Sequence, residues 1–121
     1  MQVKITERGW PGHYICVDRC MFRRNTLIEY GKHRIVVSSV GNMRNRDNGK
    51  SETIGHCRTY ETMAFKAVLH TGYWDADVSQ IVDFKSSWGI HKEKVEQMDD
   101  QLANAIHDKV VKELARKIKT W

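Results

Sequence analysis

The sequence predicts an α+β fold in which a mainly antiparallel sheet of about five strands packs against a long C-terminal helix. One observation behind this prediction is a series of alternating or β-branched segments, separated by turn residues, over positions 1–65. The other is a stripe of apolar residues at steps of three or four over positions 91–121. A chain of 121 residues is long enough to form one domain with its own core.

The predicted strands follow one another closely, which favours an antiparallel meander. The segment Gly9–Gly12 contains the only proline and predicts a turn between the first two strands. Ile35–Val37 is the densest β-branched run, and Asn48-Gly49 is typical of a hairpin turn. The predicted strands span Gln2–Arg8, His13–Arg19, Thr26–Tyr30, Arg34–Val40 and Glu52–Phe65.

Positions 66–90 show the weakest periodicity, and we interpret them as irregular structure or a short helix. Within this segment, Asp75–Val82 is either one or two helical turns capped by Asp75, or a loop.

The C-terminal segment His91–Trp121 is predicted to be an amphipathic helix, with acidic residues early and basic residues late, as the helix dipole favours. Its mean apolar step of about 3.7 residues suits a straight helix on a sheet better than a heptad coiled coil. Such a helix is about 46 Å long, whereas a domain of this size is about 35 Å across. We therefore expect the helix to bend, break or overhang, and an overhanging apolar end favours a homodimer formed through this helix. An alternative function is accordingly that of a dimeric structural or interaction protein. The stripe consists of Val95, Met98, Leu102, Ile106, Val110, Leu114, Ile118 and Trp121.

The charge is unevenly distributed along the chain. Eight of the nine arginines lie in the first 60 residues, which carry a local charge of +6 from eleven bases and five acids. The remaining residues carry nine bases and ten acids, a charge of −1. Because guanidinium groups suit phosphate and carboxylate, this asymmetry predicts a non-enzymatic binding module for nucleic acid or an acidic protein surface.

The sequence places the binding face on the last predicted strand. Alternation along that strand puts His56, Arg58 and Tyr60 on one face, and the loop Met43–Ser51 lies beside it. Aromatic and basic side chains together on a sheet often hold single-stranded nucleic acids. The alternative interpretation is an ordinary solvated basic face. The predicted binding residues are Arg23, Arg24, Lys32, Arg34, Arg44, Arg46, His56, Arg58 and Tyr60.

Residue types that bind zinc occur at His13, Cys16 and Cys20. On a strand, the two cysteines would be about 13 Å apart, too far to share one ion. We therefore expect no metal or cofactor, and we interpret the cysteines as free thiols.

An enzymatic alternative is a small metal-dependent or Cys/His hydrolase centred on His56, Cys57, Asp75 and Asp77. The chain contains no P-loop, dinucleotide-binding fingerprint or His-Glu-x-x-His segment. No residue is therefore assigned a catalytic role from the sequence.

No signal peptide and no apolar run of about 20 residues is apparent, so we expect a cytoplasmic protein without membrane contact.

Two stretches resemble small, uncharacterised proteins of bacteriophages and prophages. They are Glu7–Thr26, and Glu52–Phe65 together with Tyr73–Ser79. The resemblance implies a small accessory protein that acts on a host or phage macromolecule, and it implies no particular activity.

Overall fold

A computed structural model describes residues 2–9, 11–13, 17–54, 59–82 and 100–121. It confirms the predicted α+β class, because an antiparallel sheet packs against a C-terminal helix. Short 3-10 helices span Val17–Arg19 and Ile118–Thr120. The main elements are β1 (Lys4–Glu7), β2 (Cys20–Tyr30), β3 (His33–Arg44), β4 (Ser51–Glu52), β5 (Tyr60–His70), β6 (Tyr73–Ile81) and α1 (Asp100–Lys117).

The strand pairings are antiparallel, in the order β1-β2-β3-β5-β6, with the short β4 paired to the end of β3. β2 starts at Cys20, earlier than the sequence predicted. The additional residues still alternate, since Cys20 and Phe22 are buried whereas Met21 and Arg23 are exposed. In the β2–β3 register, Asn25 lies opposite Ser38.

Helix α1 covers one face of the sheet and forms the main core with it. Ile28, Ile35 and Ala64 from the sheet are fully shielded against Val110 and Leu114 of the helix. Burial of these apolar side chains is the main force that holds the helix on the sheet.

The opposite face is concave, because the sheet curls until its two edges approach each other. Arg8, directly after β1, donates a hydrogen bond from Nη1 to the carbonyl of Trp74 in β6. The guanidinium of Arg34 lies 4.2 Å from the centre of the Trp74 ring. β6 therefore lies close to the concave side of the central strands, and its residues Ala76 and Val78 line a cavity together with Asn25 and Ser38.

The predicted strand His13–Arg19 is wrong. Val17–Arg19 forms a 3-10 helix, and residues 14–16 lie outside the described residues. Val17 packs on a second, smaller core made by Cys20, Val40, Met43 and Ile54. This tertiary contact replaces the strand pairing that the local alternation suggested.

The interpretation of positions 66–90 as irregular or helical is wrong for residues 66–81, and residues 83–90 lie outside the described part. β5 continues to His70, and a tight turn with positive φ at Thr71 and Gly72 leads into β6. Asp75 pairs with Val68 in this hairpin and does not cap a helix. Many side chains of the hairpin are exposed, so it lacks the apolar alternation that marks a strand.

The predicted strand Glu52–Phe65 is divided into β4 and β5, with the described part of the chain interrupted at residues 55–58. Helix α1 and the following 3-10 helix agree with the end of the predicted C-terminal helix. Its predicted beginning at residues 91–99 lies outside the described residues. In the described part of the chain, no helix has the length and apolar content needed to cross a membrane.

Gly41 provides a test of how closely β3 and β5 pack. A Cβ at this position would lie 2.3 Å from Cδ1 of Tyr60 and 2.9 Å from the carbonyl oxygen of Thr59. We expect Gly41→Ala to lower the free energy of unfolding by about 2 kcal/mol through overpacking. Urea denaturation will measure this loss. In a Tyr60→Ala background the same change should be clearly less destabilising, and equal losses in both backgrounds would contradict the proposed steric cause.

Candidate functional site

The predicted binding residues do not form a single face. Lys32 lies in the turn between β2 and β3, at one end of the sheet, and it is exposed. Arg44 lies at the opposite end of β3, where Nη1 is 3.4 Å from the carbonyl oxygen of Gly49. His56 and Arg58 lie outside the described residues.

Arg24 lies on the helix side of the sheet and is neutralised by two carboxylates. Its guanidinium donates to Glu7 Oε2 at 2.8 Å and to Asp108 Oδ1 at 2.7 Å. Burial alone would raise the pKa of Glu7, but the hydrogen bonds from Arg24 and Thr26 lower it overall. Arg24 therefore joins β1, β2 and α1, and its charge is already used within the protein.

Two further predicted residues also have acidic partners. Arg34 Nε donates to Glu29 Oε2 at 2.9 Å while its guanidinium stacks on Trp74. Arg46 is 2.6 Å from Asp18 Oδ2, and both side chains are largely exposed. An exposed pair of this kind is worth only about 0–1 kcal/mol, so Arg46 remains available to a competing anion.

Tyr60 is the predicted site residue whose position differs most from the expectation. It is 5% exposed and packs edge-on against Phe22, and its hydroxyl is 2.5 Å from Asp100 Oδ1. Tyr60 and Thr62 face helix α1, so the assignment of their face to an accessible binding surface is wrong. Glu61, the next residue along β5, points to the opposite, concave face, where it contacts His13.

The outer groove lies on the concave side of the sheet and has a volume of about 570 Å³. Arg23 is exposed, and no acidic side chain of the described residues forms an ion pair with it. Tyr73 is 41% exposed and supplies an aromatic surface. Of the two acids, Asp18 is paired with Arg46, and Asp75 accepts a hydrogen bond from the amide of Ala76. The outer groove is lined by Pro11, Gly12, Val17, Asp18, Arg23, Tyr73 and Asp75.

Arg8 adds a second positive charge behind this groove. Its guanidinium carbon lies 4.7 Å from the centre of the Tyr73 ring, and Nε donates to Asn25 Oδ1 at 2.8 Å. Nη2 is buried and has no hydrogen-bond partner among the described residues, and none of their carboxylates pairs with Arg8. A partly buried cation without a carboxylate makes the surrounding potential positive.

The inner cavity, of about 130 Å³, adjoins the outer groove, and the two share Pro11, Gly12 and Asp75. It contains a chain of hydrogen bonds: Ser38 Oγ lies 2.8 Å from His13 Nδ1, and His13 Nε2 lies 2.7 Å from Glu61 Oε1. The inner cavity is lined by Pro11, Gly12, His13, Asn25, Ser38, Asp75, Ala76 and Val78.

A second buried histidine lies on the other side of β3. His107 of α1 is fully buried, with Nδ1 2.6 Å from Ser39 Oγ and Nε2 2.8 Å from Thr26 Oγ1. Thr62 extends the network through a 2.7 Å contact with Ser39. Because the side chains of Ser39 and His107 are shielded from solvent, this network joins helix to sheet and does not present a site.

The residues of the metal-dependent alternative do not assemble in the described structure. Asp75 and Asp77 both lie on β6, where Asp77 accepts hydrogen bonds from Ser79 and Gln80, and the bond from Ser79 is the main cause of its lowered pKa. No group of three His, Cys, Asp or Glu side chains with metal-binding geometry occurs within the described ranges. Cys16, His56 and Cys57 lie outside those ranges.

Comparison with protein-family models, with curated proteins and with solved structures finds no match for this chain.

Sequence reasoning found Arg23 but missed Arg8, Ser38, Glu61 and Tyr73 as parts of the site. Arg8 ends a predicted strand like many surface arginines, and Ser38 lies in the longest buried strand. Only the curl of the sheet brings β6 and the segment 11–13 next to them. No local pattern carries that information.

Proposed function

We propose that the protein is a binding module for single-stranded nucleic acid and that the outer groove is its binding site. The observation that carries the proposal is Arg23, an arginine without an acidic partner among the described residues, beside the exposed ring of Tyr73 in an open groove. A base stacks on Tyr73 while its phosphate meets Arg23, and the potential of Arg8 adds to the attraction.

The exposed aromatic ring favours nucleic acid over an acidic protein surface. Carboxylates require only the cations, whereas a stacked base also makes use of the apolar groove walls formed by Pro11 and Val17. Arg46 pairs with Asp18, which lines the groove. Because this ion pair is exposed, an incoming phosphate competes with Asp18 for Arg46. The bound nucleic-acid strand then continues from Arg23 toward the loop Met43–Ser51.

Arg23 and Tyr73 should both be needed for binding to a labelled single-stranded oligonucleotide. We expect Tyr73→Ala to weaken binding by about 5- to 160-fold, as loss of about 1–3 kcal/mol of stacking implies. Arg23→Ala should weaken binding and reduce the slope of log K against log salt by about one phosphate contact. Fluorescence anisotropy over a salt series measures both effects.

Lys32→Ala is the matched control, because Lys32 is an exposed base at the end of β2–β3, remote from the groove. Tyr73→Phe should retain binding, since it keeps the ring. Absence of binding by the unmodified protein at low salt, or an equal loss in Lys32→Ala and Arg23→Ala, would overturn the proposal.

A further inference from the structure

The inner cavity holds the components of a nucleophilic site, independently of any nucleic acid in the outer groove. Ser38 belongs to β3 and lines the inner cavity, although only 1% of its surface is exposed. Its hydroxyl oxygen is 2.8 Å from His13 Nδ1, within the distance at which a base accepts a proton. The carboxylate of Glu61 is 2.7 Å from the other ring nitrogen, so a nucleophile, a base and an orienting acid are connected in one line.

The hydrogen bonds determine which tautomer of His13 suits this role. A carboxylate accepts hydrogen bonds, so Glu61 places the proton of the neutral ring on Nε2. The lone pair of Nδ1 then faces the hydroxyl of Ser38. The His13 and Glu61 side chains are only 5% and 13% exposed, so solvent disturbs this arrangement little.

We propose that the inner cavity is an acyl-transfer site that hydrolyses carboxylic esters with a short acyl group, with Ser38 as nucleophile and His13 as general base. Glu61 is a positioning residue that holds the ring of His13.

Asn25 is placed to stabilise the negative charge that develops on the carbonyl oxygen. It lies directly across the β2–β3 ladder from Ser38 and lines the same cavity. Its Oδ1 accepts a hydrogen bond from Arg8 Nε. This contact fixes the orientation of the amide, so that its NH₂ group points away from Arg8. One Nδ2 hydrogen is directed at the carbonyl of Pro11 at 3.3 Å, and the other is available to the substrate.

The reaction balances with water as the only co-reactant. Ser38 Oγ forms a bond to the acyl carbon while its proton passes to His13 Nδ1. The carbon–oxygen bond to the alcohol breaks, and His13 returns the proton to the leaving oxygen. Water then attacks the acyl-serine ester, gives its proton to His13, and the acid leaves as Ser38 Oγ regains that proton.

The dimensions of the two spaces indicate the substrate class. A volume of about 130 Å³ corresponds to about four water molecules of liquid, which suits an acyl chain of a few heavy atoms. The larger outer groove, which shares Pro11, Gly12 and Asp75 with the inner cavity, has room for the alcohol. We therefore expect acetyl and butyryl esters to be hydrolysed and long-chain esters to be rejected.

The chain provides its own control, because two adjacent serines on β3 each contact a buried histidine. Ser38 contacts His13 in the inner cavity, whereas Ser39 contacts His107 beneath α1. Both Ser38→Ala and Ser39→Ala remove a buried hydroxyl from the same strand. Only the first removes the proposed nucleophile.

The test measures hydrolysis of p-nitrophenyl acetate, butyrate and octanoate, and labelling by a fluorophosphonate located by peptide mass spectrometry. Ser38→Ala should lower kcat/KM about a thousandfold or to background, and Ser39→Ala should retain most of the activity. His13→Gln, which removes the proposed general base, should lower the rate to a similar extent. If Ser38→Ala does not fold, labelling of the unmodified protein decides, since Ser38 must carry the phosphonate.

Absence of labelling at Ser38, full activity in Ser38→Ala, or equal losses in both serine variants would overturn this inference. None of these results affects the nucleic-acid proposal, which is tested by oligonucleotide binding alone. Conversely, loss of oligonucleotide binding in Tyr73→Ala leaves the hydrolysis test unchanged.

Discussion

Acidification from pH 7 to pH 4 is expected to remove about 3 kcal/mol of folding stability through one side chain, His107. Burial, together with the positive charge of Arg24, lowers the pKa of His107 from 6.5 to about 4. Glu7 and Asp108, which pair with Arg24 nearby, act in the opposite direction and do not reverse the shift.

The direction of this effect follows from proton binding in the two states. Between pH 6.5 and about 4, the unfolded chain binds a proton at this histidine and the folded protein does not. Stability therefore falls as the pH falls through that window, by about 2 kcal/mol at pH 5. Below about pH 4 the ring is protonated in both states, and this contribution no longer changes.

Urea denaturation at a series of pH values, compared with His107→Gln, isolates the effect. Glutamine retains an acceptor and a donor for Ser39 and Thr26 but does not titrate. The lowered pKa of Glu7 acts mostly below pH 4.5, and the charge of His107 is the smallest of its causes, so the two proteins are compared above that pH. Parallel curves for the two proteins between pH 7 and pH 4.5 would contradict the assignment to His107.

The parts of the fold that the sequence predicts well are those that pack in the main apolar core. The central strands are predicted by β-branched residues such as Ile28 and Ile35–Val37, and the structure buries these residues completely. The helix was found because its apolar side chains recur at helical spacing. Both patterns come from the main core, where one face of each element is apolar.

Errors occur where the environment of a side chain depends on distant parts of the chain. Ser38 and Ser39 are adjacent and identical in type, so the sequence does not distinguish them. Side chains alternate along β3, however, and Ser38 contacts His13 on one face of the sheet while Ser39 contacts His107 on the other. The sequence predicts one continuous strand over Glu52–Phe65 and an exposed Tyr60, whereas the structure divides this segment into β4 and β5 and buries Tyr60. Its ring fills the space beside Gly41, which no local pattern reveals.

The candidate site was predicted only in part for the same reason. The Arg-rich first half of the chain predicts a binding site built on arginine, but ion pairs with Glu7, Glu29 and Asp108 neutralise Arg24 and Arg34 within the fold. Sequence alone shows how many cations there are. Which of them pair with an acid is decided by the fold: Arg23, Lys32 and Arg44 form no ion pair with an acidic side chain of the described residues, and of these three Arg23 lines the outer groove.

Leu114→Ala is expected to destabilise the protein by about 3 kcal/mol, whereas Leu102→Ala should cost less than about 1 kcal/mol. The apolar stripe in the sequence contains both leucines, and on that basis they are equivalent. In the structure Leu114 is fully buried against the sheet, but Leu102 is 38% exposed.

The difference arises because the buried face of α1 is rotated relative to the predicted stripe at its N-terminal end. Ala103 and His107 are buried there. The side chain of His107 must point from α1 toward the sheet to reach Thr26 and Ser39. The polar network thus fixes the rotation of the helix, and Leu102 is turned toward solvent. Chemical denaturation of the two variants tests this rotation directly. Similar losses, if independent of protein concentration, would contradict it, whereas a loss in Leu102→Ala that shrinks on dilution would place this leucine in the helix-mediated homodimer that the sequence predicts.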